Sequence, residues 1–412
     1  MSGVRAERVD CAVVGAGAVG LATALAAHAS GLSVRVFERA EWPSRAVESG
    51  SAESRVYALA PATARYLASL EAWPEAPWFE TGPIEVMEVY ERASRGRLTF
   101  RAPETGARAL LAEVVPHGLL IRTLREALES AGVRVVSGAE IVGFEPGRGG
   151  SGGAAALLNT DAGTCEARLV VGADGGRSRV RELAGIGTRG AGYGQHGVTA
   201  VLTLARPHGR VARQHFRDGE IIAVLPLAEP TEAVLVWSAA DASAERLGAL
   251  DDAAFAAEVE AAVAHSEIAV AGVGDRRAFP LGWSVAERFV SGRLALVGDA
   301  AHTIHPLAGQ GLNLGLLDVA ALAETVMAPL AAGRGGLPAA LGRYERWRKS
   351  EALTYRLATD GLFRLFAARP AGVLRGPGMR LVDRLTPLKH LITGRAMGGF
   401  GDLPAAARGN PT

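Results

Sequence analysis

The sequence predicts an α/β fold of mixed α+β character: a Rossmann-like nucleotide-binding domain, an inserted antiparallel β-sheet domain and a C-terminal helical region. Three observations lead there. A glycine turn joins an apolar strand to an alanine-rich helix near the N-terminus. Short apolar runs far downstream resemble further strands of the same buried sheet. The chain then turns largely helical from Leu312 onward.

Residues 10–14 are apolar, 21–28 alanine-rich and helical, and 32–37 apolar again, which together predict a βαβ unit. Residues 133–137, 169–173 and 294–297 are short apolar runs bounded by glycine or charge, as buried parallel strands are. The nucleotide-binding domain is therefore expected to be discontinuous, over 1–75, 110–185 and 290–330. Residues 84–90, 198–204, 211–216, 221–225 and 233–237 predict a second sheet of mostly antiparallel strands, with a helix at 251–265 beside it. That substrate-side domain is expected over 76–109 and 186–289, and the helical region over 331–412. The glycine-rich stretch 146–156 predicts a surface loop.

Bulk properties exclude several classes. The 412 residues carry a formal net charge of +1, and Lys349 and Lys389 are the only lysines, so no lysine-rich run points to nucleic acid. Cys11 and Cys165 are too few and too far apart for a disulfide framework or a CxxC metal site. Charged Arg5, Glu7 and Arg8 lead directly into the first apolar run, and no apolar stretch approaches the roughly 18 residues of a spanning helix. The expected setting is cytoplasmic.

The first motif is Gly15-Ala16-Gly17-Ala18-Val19-Gly20. Gly15 permits the tight turn, Gly17 lets backbone N–H groups reach a pyrophosphate, and Gly20 allows close helix packing. Glu38 ends the next strand about 20 residues on, where a carboxylate accepts hydrogen bonds from adenosine ribose hydroxyls. The pattern alone does not separate FAD from NAD. A second GxGxxG, from Gly185 to Gly190, follows a charged stretch rather than a strand and is expected to be an interdomain loop.

Two acidic turns follow. Asp174-Gly175 lies between an apolar run and a helix start, with Ser178 and Arg181 along the first helical turn. Farther on, a strand delivers Gly298-Asp299, and Gly309-Gln310-Gly311 leads into a helix. Asp299 is placed to accept from ribitol hydroxyls, while Gly309 and Gly311 leave room for N–H groups to approach an anionic flavin edge. His302 and His305, three apart at a turn, suit loop-shaping or proton handling better than metal binding, and no metal is expected.

In identity, order and spacing these motifs resemble those of the para-hydroxybenzoate-hydroxylase-like (group A) FAD-dependent monooxygenases, over essentially the whole chain. The run from His305-Pro306-Leu307-Ala308 to Asp318 is similar to the signature of the ubiquinone-biosynthesis hydroxylases, UbiH, UbiF and VisC-like. The resemblance implies FAD as cofactor, NADPH or NADH as transient reductant, and hydroxylation of a polyprenylated phenol by O2 through a flavin C4a-hydroperoxide. It puts Gly15, Gly17, Ala18, Val19, Gly20, Glu38 and Arg39 at the adenosine and pyrophosphate, with Arg55 near pyrophosphate and ribitol. Arg122 and Asp174 become further cofactor contacts, Gly298 and Asp299 lie at the ribitol, and Pro306, Gly309, Gln310, Gly311, Leu312 and Asn313 face the isoalloxazine. His305, Pro306 and His302 are the catalytic candidates.

Where the family commonly shows Glu-Asn-Arg before a helix, this chain has Leu120-Ile121-Arg122. Two other readings therefore stay open: a related monooxygenase acting on a soluble phenol or polyketide, and a non-catalytic flavin-binding scaffold. The tail around Arg380, Asp383, Pro387-Leu388-Lys389 and Ala396-Met397-Gly398 resembles the same family. Residues 343–395 carry about three times as many basic as acidic side chains. Contact with the inner-membrane surface or a biosynthetic complex is expected there, with Arg364, Arg375, Arg380 and Arg384 meeting anionic lipid.

Overall fold

The computed structural model describes residues 7–41, 53–73, 80–92, 96–102, 110–147, 155–161, 163–304, 310–334, 336–367 and 402–408. Strand β1 (Glu7–Val14) is fully buried from Cys11 to Val13, the mark of a central strand covered on both faces. Helix α1 (Ala18–Ala29) is buried almost all round because its alanines let sheet and neighbouring helices approach closely. The chain continues through β2 (Val34–Phe37), β3 (Val56–Leu59), α2 (Pro61–Ser69), β4 (Gly82–Ile84), β5 (Val86–Glu91), β6 (Gly96–Arg101) and β7 (Ala112–Pro116). Then come α3 (His117–Ser130), β8 (Arg134–Val136), β9 (Ile141–Glu145), β10 (Ala156–Thr160), β11 (Gly163–Gly172) and the short α4 (Arg179–Leu183).

A second group follows: β12 (Thr188–Leu204), β13 (Val211–Arg217), β14 (Glu220–Pro226), β15 (Glu232–Ala240), α5 (Asp241–Ala249), α6 (Asp252–Ala262) and β16 (Val270–Ala286). The chain then runs through β17 (Val290–Ser291), β18 (Leu294–Leu296), β19 (His302–Thr303), α7 (Gln310–Leu322), α8 (Ala328–Ala331) and the long α9 (Leu337–Ala367). A π-helical turn, Ala323–Met327, joins α7 to α8.

The first sheet has the order β17-β18-β11-β1-β2-β8, with β9 and β10 attached to β11. β18, β11, β1, β2 and β8 run parallel. Its neighbours β1, β11 and β18 are far apart in sequence, so their carboxyl ends bring three distant turns together. Strands leave β1 on both sides, and the crevice at such a switch point is where ligands of open α/β sheets bind.

The second sheet runs β19-β16-β12-β15-β14-β13-β5-β6. One face packs on α5 and α6 through Trp237, Leu235, Phe255 and Val259. Alternation along the strands turns Val234 and Ala212 to the other face, against Ile84 and Val114. Those two belong to a small third sheet, β3-β7-β4.

Several expectations change. The run 84–90 is two strands in two sheets: Ile84 ends β4, and β5 starts at Val86. The second sheet is mostly antiparallel as expected, with β13–β5 as its parallel pair. Helix α5 escaped the sequence reading, and the helix expected from 251 begins at Asp252 because Asp251 is its N-cap, accepting from the Ala254 N–H at 2.8 Å. The Gly185–Gly190 loop is half strand, since β12 starts at Thr188. His305, Pro306, Gly309, most of the 146–156 loop and the tail motifs from Arg375 to Gly398 lie outside the described residues.

Candidate active site at the carboxyl end of the first sheet

Gly15 follows β1 with φ +100°, and its N–H donates to the Phe37 carbonyl at 2.8 Å. A Cβ there would sit 2.6 Å from the Ala173 carbonyl oxygen, and one on Gly20 1.9 Å from the Gly15 oxygen. Gly17 is different, since a Cβ there would meet nothing within 4 Å. The first turn of α1 has no capping side chain and no acidic residue. Its free N–H groups and the positive end of the helix dipole thus face open space, which fits a pyrophosphate. Glu38 lies alongside, its two oxygens accepting the Ala16 N–H at 2.6 Å and the Ala40 N–H at 2.9 Å. That leaves carboxylate lone pairs for hydroxyl donors, with Ala18, Val19 and Arg39 flanking.

The Asp174 turn abuts this cradle, since the Ala173 N–H donates to the Val14 carbonyl at 2.8 Å. Asp174 Oδ2 accepts the N–H groups of Arg179 and Val180 at 2.6 and 3.2 Å, so the side chain caps α4. Its Oδ1 is buried without a hydrogen-bond partner. Ser178 Oγ accepts the Arg181 N–H, and Arg181 reaches across to the carbonyls of Ala300 and Gly176 at 2.9 and 2.8 Å. The second and third turns are thereby locked together.

In the third turn the Val297 N–H donates to the Gly172 carbonyl at 3.0 Å, and Gly298 adopts φ +57°. A Cβ on Gly298 would lie 3.1 Å from Val19, and one on Gly315 of α7 would lie 3.0 Å from the Gly298 Cα. Asp299 is ringed by protein, yet its side chain stays accessible. Burial raises its carboxyl above the ordinary Asp range, helped by Asp318 and opposed by His302 and Arg55.

Arg55, beside β3, completes this electrostatic group. Tyr57 lies next to it, its hydroxyl 3.0 Å from His117 Nδ1, and burial raises the phenol while Arg55 lowers it. Burial, with the Arg55 charge, pushes His117 down to about 4. Glu53 accepts the Gly118 N–H at 2.8 Å, pinning the start of α3 to the segment that leads into β3.

His117, not Arg122, is what α3 brings to the site. Arg122 pairs with Glu80 at 2.8 Å in a groove shared with Leu25, His28 and Ala29 at the far end of α1, about 18 Å of helix from the Gly15 turn. Leu120 is fully buried, so the departure noted at 120–122 concerns packing.

Asn313 also differs from expectation. Its Oδ1 accepts the Ala60 N–H at 2.9 Å and its Nδ2 donates to the Ala58 carbonyl at 2.7 Å, so the amide staples α7 to β3. Gln310 and Leu312 sit in the same first turn, with Gln310 largely buried near the Tyr355 hydroxyl. His302 is 1% exposed, with Nε2 on Asp318 at 2.6 Å. Among the described residues no group of three His, Cys, Asp or Glu could hold a metal ion.

Sequence motifs missed Tyr57, His117 and Arg348, none of which belongs to a glycine turn, and gave no role to Asp318, which closes the run from His305. The available signal was Tyr57 two residues after Arg55, which immediately precedes the strand.

Residues 8–353 match the family described as FAD binding domain. The ubiquinone hydroxylase UbiL of Rhodospirillum rubrum is 36% identical, over 94% of this chain and 89% of that protein. The mitochondrial ubiquinone biosynthesis monooxygenase COQ6 of Danio rerio is 29% identical, over 94% of this chain and 89% of that one. Among solved structures, p-nitrophenol 4-monooxygenase PnpA from Pseudomonas putida DLL-E4 superposes with a TM-score of 0.76 at 18% identity, covering 96% of this chain and all of the other.

Proposed function

This chain belongs to the ubiquinone-biosynthesis hydroxylase family of group A FAD-dependent monooxygenases, and on that premise we propose that it hydroxylates the ring of a polyprenylated phenol. The observation that carries the reading is the meeting of three distant turns, at Gly15, Asp174 and Asp299, around one cleft. It is an FAD-dependent enzyme, and use of NADH or NADPH with O2 is typical of its family.

Bound FAD supplies the activation of O2. The chain's residues bind and orient. The first turn of α1, with Gly15, Gly17 and Gly20, would hold the pyrophosphate, and Glu38 the adenosine ribose. Arg55 would neutralise phosphate charge, Asp299 would accept from the ribitol, and the turn at 310–313 would flank the isoalloxazine. Asp174 acts as the cap that keeps the second turn closed. The face of the second sheet turned toward β3 carries the partly exposed side chains Met87, Val89, Leu98, Leu225 and Val236. Such a wall supports an apolar substrate tail, because it removes that tail from water at about 25 cal/mol per Å².

The setting that follows is cytoplasmic, peripheral to the inner membrane. One helical stretch, Gln310–Ala331, is long and apolar enough to cross a membrane, but 67% of its window is buried inside the fold. The basic excess over 343–395 supports contact with an anionic surface instead.

Incubating the flavin-loaded protein with NADH or NADPH, O2 and a prenylated phenol should yield a product heavier by one oxygen atom, with reductant consumption stimulated by the phenol. Stimulation by short soluble phenols but not by prenylated ones would overturn the substrate class.

A further inference from the structure

Behind the Gly298 turn lies a buried charged cluster that the glycine motifs do not explain. Asp318 on α7, His302 on β19 and Arg348 on α9 are each at most 2% exposed. Asp318 Oδ2 accepts the Gly298 N–H at 3.0 Å and faces His302 Nε2 at 2.6 Å, while its Oδ1 accepts Arg348 Nε at 2.7 Å. Burial would raise the Asp318 carboxyl, but His302 and Arg348 outweigh it and hold the group below the ordinary Asp range.

His302 Nδ1 has no hydrogen-bond partner. Nε2 therefore carries a proton toward the facing carboxylate, which has no hydrogen of its own to offer.

A buried ion pair is often no more stabilising than apolar side chains of the same volume, so stability alone does not account for it. Its geometry suggests another use. Gly298 is gripped from the other sides by Val19 and Gly315. Helix α9 holds the flanking strands with the same face that carries Arg348. The Tyr344 hydroxyl donates to the Leu296 carbonyl at 2.7 Å, Glu345 accepts the Phe289 N–H at 2.7 Å, and Lys349 donates to the Glu287 carbonyl.

We propose that Asp318, held by Arg348, is a positioning residue of the flavin site: it fixes the Gly298 N–H and the His302 ring and thereby sets where Asp299 presents its carboxylate. This rests on the reading that Asp299 contacts the cofactor.

The test compares three variants with wild type. The double variant Asp318→Leu/Arg348→Met removes both charges, Arg348→Lys keeps the charge but not the Nε contact, and Asp299→Asn probes the premise. Each is measured for apo-protein melting, FAD Kd by flavin fluorescence, and the visible flavin spectrum. The double variant should melt close to wild type yet bind FAD at least about tenfold more weakly, the scale seen when outer partners of metal ligands are lost. R348K should fall between the two, and both should shift the flavin absorption band. If D299N binds FAD like wild type, the premise itself fails. If D299N weakens binding while the folded double variant and R348K bind normally, only the positioning role fails. Loss of folding in both variants would make the cluster a folding element and overturn the proposal.

Discussion

At the scale of single residues, the three glycines of the first turn have separable duties. Gly20 is needed by the protein itself, since any side chain would run into the Gly15 carbonyl, whereas a methyl on Gly17 meets no protein atom. Gly20→Ala should lower apo-protein stability by about 1–3 kcal/mol through overpacking. Gly17→Ala should leave the apo melting point unchanged and weaken FAD binding, because the methyl occupies space above the helix N-terminus. Titrating FAD against both apo-proteins checks this, and equal melting losses would contradict it. Glycines and acids were legible in the sequence because backbone approach to phosphate demands particular residue types at fixed offsets. Tyr57 and His117 were not, because their meeting depends on β3 and α3 packing across 60 positions.

Elements were legible where their periodicity was simple. β1, α1, β2 and the strands ending near Gly172 and Leu296 have runs of one period; they end within a residue of where they were expected, although β1 and α1 start three residues earlier and β11 six. β12 was harder. Its first ten residues carry Gly190, Gly192, Gly194 and Gly197, which signal a loop, yet a Cβ on Gly190 would be 2.5 Å from the Trp283 carbonyl and one on Gly197 2.8 Å from the Phe279 ring. Glycine there serves close approach of β16 rather than a turn. The covering helix α6 depends on Phe255, fully buried against the second sheet with the Arg276 guanidinium 4.9 Å from its ring centroid. Phe255→Ala should cost about 3–5 kcal/mol by denaturant unfolding, with FAD affinity of the folded fraction unchanged. A cost below about 1 kcal/mol would mean the helix is not held by this contact.

For the whole molecule, acid should be the weak side. Burial pushes both His117 and His215 down to about 4, the first with help from Arg55 and the second from His265 and Arg213. In the unfolded chain these rings titrate near about 6.5, so between the two values the unfolded state binds more protons. Their contribution is complete above the unfolded value and is lost as pH falls from about 6.5 toward 4. Asp318, held below the usual Asp range, acts in the same direction at lower pH, while Asp299 and Glu113, both raised chiefly by burial, oppose it. The apo melting point should therefore drop between pH 6.5 and 4.5, and His117→Gln/His215→Gln should flatten that slope. An unchanged slope would show that these rings do not govern the acid limb.

The pairing of β1 with β11, and of β11 with β18, also has a consequence for synthesis on the ribosome. The glycine turn emerges long before β18, but its cleft has no floor until β18 has been made and no brace until α9 follows. Through most of translation the nascent chain thus exposes apolar strand edges that later segments must close. Closure of the cleft is accordingly a late event in synthesis.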